Sequence, residues 1–190
     1  MHKFKCLKHK VHGQEKATKC MKRLIFLLSF ILCLSLPIEA QAKDFTSLST
    51  EQMESKVDGL VKQIAKNSGI QNKLYTSCYD WPESNVLSYN TLITYTICVN
   101  LSGFRTTADA DLMGVSVDYY LVYTLAHEVR HSYQWEHQFD DSDYGRACKL
   151  GFESYQAYNG DKTAYYQQFI EADAEEFAKS YADKYFKLVR

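Results

Sequence analysis

Two histidines four residues apart flank a glutamate in His127-Glu128-Val129-Arg130-His131. On a helix, positions i and i+4 lie one turn apart on one face, so both imidazoles can point at a single metal ion. Glu128 is offset by one residue and sits beside the pair, where a carboxylate can take a proton from water that the metal has activated. Zn2+ suits this chemistry because it brings the pKa of bound water to about 7. With six His and eleven Glu in 190 residues, a chance match to the pattern is on the order of one per cent. The plain alternative is a surface helix carrying two unrelated histidines. The flank argues against it, because Tyr119 to Ala126 is apolar nearly all round and predicts a buried helix. Buried His and Glu side chains need partners, and a metal supplies one.

A catalytic zinc takes three protein ligands and a water, so a third ligand is required. Glu171 and Glu175 lie four apart on a second helical pattern, with Ala174 and Ala178 beside them to allow close helix approach. Glu171 could reach the metal, and Glu175, one turn on, could accept a hydrogen bond from a ligating His. The alternative is a solvated acidic face of an amphipathic helix. His137 competes for the ligand role, ten residues after His127. The spacing resembles the metzincin pattern HExxHxxGxxH, but Gln134 replaces its helix-breaking Gly, and on an unbroken helix His137 would sit about 15 Å along the axis. Tyr155, Tyr158 and Tyr165 are candidates for an oxyanion donor, and Gln134 is either a partner of the ligands or merely packed. Arg130 points to a different face and is expected either on the helix surface or as a partner of a second helix.

The segment His127-Glu128-Val129-Arg130-His131-Ser132-Tyr133-Gln134 resembles the active helix of small bacterial and phage metallopeptidases. Glu171-Ala172-Asp173-Ala174-Glu175-Glu176-Phe177-Ala178 resembles the E-x-[DE]-A-x-x-F-A stretch of the ImmA/IrrE-like and related gluzincin peptidases. The resemblance implies a zincin-like fold, zinc-dependent peptide hydrolysis with Glu128 as general base, and metal ligands His127, His131 and Glu171. It also implies that Glu175 holds a ligating His. It covers residues from about 117 to 185, with 39 residues between His131 and Glu171. The chain departs from the group in carrying an export signal, whereas ImmA/IrrE-like proteins are usually cytoplasmic.

The elements that must position these residues follow from periodicity. Met53, Val57, Leu60, Val61 and Ile64 predict a helix from Ser49 to about Asn67, capped by Ser49 or Thr50 and followed by Gly69. Tyr75 to Asn100 is rich in β-branched and aromatic residues and predicts two or three short strands. The run Leu92 to Val99 is the strand expected to lie beside the site and pair with an extended peptide. Leu101 to Gly114 reads as a loop, Val117 to about Phe139 as the long helix, and Lys162 to Lys187 as the final helix. The expected fold class is α+β, a short antiparallel or mixed sheet packed on the HExxH helix and a C-terminal Glu-bearing helix.

Charge is divided along the chain. Residues up to Ala42 hold eight basic and two acidic side chains, while those from Lys43 on hold fourteen and twenty-one. An acidic body of this kind argues against nucleic acid as a partner. From Met21 the sequence reads as a signal peptide: Lys22 and Arg23, the apolar run Leu24–Leu36, and Ala40-Gln41-Ala42 before a cut. The run is shorter than the roughly 20 residues of a membrane-spanning helix. Three regions are therefore expected: a basic extension at 1–20, a signal peptide at 21–42 and one domain at 43–190, secreted or periplasmic. In an oxidising compartment Cys78, Cys98 and Cys148 predict one disulfide and one spare thiol, with Cys78–Cys98 preferred and the other pairings open. The expected function is hydrolysis of a peptide or protein substrate; the alternative is an exported metal- or peptide-binding module without turnover.

Overall fold

The computed structural model describes residues 44–82, 84, 86–106 and 109–188. The expected extension and signal peptide lie outside them. Helix α1 spans Thr50–Ser68. Ser49 starts it with a capping box, its side chain accepting from Gln52 N–H while the Gln52 side chain accepts from Ser49 N–H. Gly69 ends it at φ 76°, a left-handed conformation that closes helices at little cost only for glycine.

Three strands follow: β1 (Tyr75–Tyr79), β2 (Ser88–Thr91) and β3 (Thr96–Asn100). Their order is β1-β3-β2, with β3 parallel to β1 and antiparallel to β2. Ile97 and Val99 turn to the core and Cys98 to the other face, the period-two alternation of a strand. The Leu92–Val99 strand expectation holds only from Thr96 onward. Residues 92–95 make the β2–β3 turn, Tyr95 adopts φ 51°, and Ile93 is 86% exposed.

Two short helices, α2 (Leu101–Thr106) and α3 (Asp109–Met113), replace the expected loop. Leu101, Phe104 and Ala110 are buried, and Phe104 packs edge-on against Phe45. An apolar pair at i and i+3 was hidden among polar neighbours. Helix α4 (Val117–His137) starts at Ser116, whose side chain accepts from Tyr119 N–H. Helix α5 covers Asp143–Glu153, and the expected final helix is two, α6 (Lys162–Tyr166) and α7 (Phe169–Leu188). The break falls where the Gln168 side chain clamps the Gln156 backbone, its Oε1 accepting from N–H at 2.7 Å and its Nε2 donating to the carbonyl at 2.8 Å.

The core joins the apolar face of α1, Ile97 and Val99 of β3, Leu121, Leu125 and Val129 of α4, and Ala178 and Ala182 of α7. Ala174, Ala178 and Ala182 are all buried at four-residue spacing. Small side chains there let α7 pack closely along α4. The α+β expectation therefore stands, with a mixed three-stranded sheet. No described helix is long and apolar enough to cross a membrane.

Cys78, Cys98 and Cys148 are free thiols, which corrects the Cys78–Cys98 expectation. Ser77, not Cys78, lies opposite Cys98, so the two cysteines sit on opposite faces of the sheet. Burial, then the Glu54 and Asp58 carboxylates, pushes the Cys78 thiol up to about 11. A raised pKa leaves less thiolate at neutral pH, so alkylation of Cys78 in the folded chain at pH 8 should be about a hundredfold slower than for an unstructured cysteine. The rate should climb about tenfold per pH unit from 7 to 9. Mass spectrometry of the alkylated protein reads this out, and a Cys78–Cys98 crosslink in protein kept from reductant would contradict the register.

Candidate metal centre

His127 and His131 lie one turn apart on α4, and Glu171 enters from the first turn of α7. The two imidazole Nε2 atoms are 3.0 Å apart. Glu171 Oε2 is 3.2 Å from His127 Nε2, and Glu171 Oε1 is 3.7 Å from His131 Nε2. Two ligands of one tetrahedral zinc, each about 2.0–2.1 Å from the ion, stand about 3.3 Å apart, so the three side chains fit such a metal. Glu171 is only 1% exposed. His127 Nδ1 lies 3.2 Å from Glu175 Oε1. These close approaches miss hydrogen-bond direction, because Glu171 Oε2 and His127 Nδ1 are buried without a hydrogen-bond partner. A buried, orphaned carboxylate oxygen 3.2 Å from an imidazole nitrogen is costly unless a cation joins them. This buried His-His-Glu group could hold a metal ion.

Electrostatics point the same way. Burial favours a neutral His127, yet Glu171, Glu175 and Glu128 outweigh it and push the ring up to about 10. Burial, then the positive His127, holds His131 below the ordinary histidine value. Burial works to raise Glu171, but His127 and His131 hold it below the usual carboxylate range. Without a cation, the carboxylates draw a proton onto one imidazole; the site demands positive charge.

Glu128 is 8% exposed beside the pair, and its Oε1 accepts from Ser88 Oγ at 2.9 Å. Asn90 Nδ2 donates to the Glu128 carbonyl at 2.6 Å and to Ser132 Oγ at 2.7 Å, docking β2 onto α4. Glu175 reaches His127 Nδ1 and accepts from the Tyr123 hydroxyl. Above the group opens a cleft of about 370 Å³, walled by β2, Trp135, Phe152, Tyr155 and Tyr165. The Tyr155 and Tyr165 hydroxyls are 3.0 Å apart, and Tyr158 does not line the cleft. His137 stands apart from the group: its ring stacks on Tyr133 at 3.8 Å and its Nδ1 meets the Tyr133 carbonyl at 2.9 Å. Arg130 finds its second-helix partner in Asp173 of α7.

Ser88 and Asn90 were missed in the sequence. Strand residues carry no signal of their register against a distant helix. Asp173 carried a weak one, as the unassigned acid between Glu171 and Glu175.

Compared with known proteins, the chain matches no family model, no curated protein and no solved structure. The gluzincin resemblance therefore rests on the two motifs alone.

Proposed function

We propose that this chain is an exported zinc-dependent metallopeptidase with a zincin-like fold. The convergence of His127 Nε2, His131 Nε2 and an orphaned Glu171 oxygen, with Glu128 next to them, supports the reading most directly. Zinc held there by His127, His131 and Glu171 would supply Lewis acidity and lower the pKa of water toward neutral. Glu128 takes the proton from that water on its carboxylate and passes it to the leaving amine. Ser88 Oγ fixes the carboxylate's orientation. Tyr155 and Tyr165 line the same cleft, placed to donate to a developing oxyanion.

The expected peptide-pairing strand shifts. β3 is bonded on both sides, whereas β2 is an edge of the sheet and lines the cleft. An extended peptide pairing along β2 would run past Glu128. Export rests on the signal at 21–42, and N-terminal sequencing of protein recovered outside the cytoplasm should begin at Lys43.

Purified chain should cleave peptides from an unbiased library. Activity should vanish with a zinc chelator and return on adding Zn2+ alone. Cleavage indifferent to chelation would refute the metal mechanism.

A further inference from the structure

Gln134 is a fully buried amide one turn beyond His131 on α4. Its Oε1 lies 2.9 Å from His131 Nδ1. Its Nε2 donates to the Ile170 carbonyl at 2.8 Å and to Asp173 Oδ2 at 2.7 Å. With both N–H groups committed to acceptors, the amide can turn only its oxygen toward His131. That oxygen can only accept, so Nδ1 must carry the ring proton and Nε2 must present the lone pair. Asp173 is itself fixed by Arg130, with Nε at 2.8 Å and Nη2 at 2.9 Å, and by the Tyr144 hydroxyl at 2.9 Å.

We infer that Gln134 is the positioning residue that sets the tautomer and aim of His131 and ties it to the backbone carrying the third ligand. Ile170 immediately precedes Glu171, so one side chain spans the two helices that supply the ligands. The inference rests on the metal reading of the site. Residues holding a ligating imidazole by its far nitrogen typically change metal affinity about tenfold to a hundredfold when lost.

The test compares the full-length wild type with Gln134→Met and reads the tautomer of His131 in the metal-free wild type by nitrogen NMR. The substitution removes the amide at similar volume, and the NMR spectrum shows which ring nitrogen of His131 carries the proton. Zn2+ affinity is read by competition with a chromophoric chelator, the Co2+ visible spectrum reports ligand geometry, and the melting temperature without metal controls for stability. Gln134→Met should bind Zn2+ about tenfold to a hundredfold more weakly, with an altered Co2+ spectrum. In the metal-free wild type the neutral His131 ring should carry its proton on Nδ1, the nitrogen that faces Gln134 Oε1. Wild-type affinity and spectrum in Gln134→Met would overturn the inference alone. If that variant does not fold, a metal-free wild type whose neutral His131 carries its proton on Nε2 overturns it instead. A wild type that takes up no Zn2+ overturns this inference and the metal reading together.

Discussion

Glu128→Gln should bind zinc as tightly as wild type and hydrolyse peptides about a hundredfold to ten-thousandfold more slowly. The two halves of this result have separate structural causes. The atoms that could hold the metal belong to His127, His131 and Glu171, and an amide at 128 leaves all three in place. Ser88 Oγ can still donate to the amide oxygen, and the Asn90 bond goes to the backbone carbonyl of residue 128, so packing of β2 on α4 is kept. What disappears is a carboxylate beside the histidine pair that neither histidine engages, the group proposed to accept water's proton. Peptide turnover and zinc content measured on the same preparation decide the matter. A wild type that holds zinc, binds peptides and cleaves none would favour the non-catalytic binding module, for which this substitution costs nothing.

Arg130→Ala should lower stability by about 2–4 kcal/mol, breaking a largely buried, bidentate ion pair between α4 and α7. The guanidinium also lies over the rings of Tyr133 at 4.6 Å, Phe177 at 5.1 Å and Tyr144 at 5.2 Å, so packing is lost along with charge. For a domain of this size the loss corresponds to a melting point lower by roughly 5–15 °C. Its pH dependence has a definite sign. Burial alone would raise the Asp173 carboxyl, but Arg130 and Gln134 hold it below its ordinary value of 3.8. A depressed folded pKa contributes stability that is present above the unfolded pKa and lost as pH falls through the folded one. The gap between wild type and Arg130→Ala should therefore be full at pH 6 and shrink below about pH 4. A constant gap in calorimetric scans from pH 6 to 3 would place the effect in packing alone.

The parts of the site legible in the sequence are those set by helical periodicity. His127, Glu128 and His131 are fixed relative to one another by three and four residues of one helix. Glu171 and Glu175 share a face for the same reason, and both reach the histidines. The four-residue spacing of Ala174 and Ala178 announced the close packing of α7 that brings them there, and Ala182 extends it by one more turn. Long-range register was not legible. Nothing in Tyr75–Asn100 shows that β3 lies in the middle, that Ser88 and Asn90 face α4, or that Cys78 and Cys98 face opposite ways. The break before α7 was equally hidden, since it depends on Gln168 pairing with Gln156 twelve residues earlier. Gln134 was visible as a candidate, but its partners Ile170 and Asp173 are set by the α4–α7 docking.

Metal content of purified wild type beside Glu171→Ala tests the central claim most directly. The three-ligand site predicts close to one zinc per chain in the wild type and a lost or greatly weakened zinc in the variant. Wild type free of zinc after exposure to metal-replete buffer would contradict the metal centre itself, and full retention of zinc in Glu171→Ala would contradict Glu171 as its third ligand.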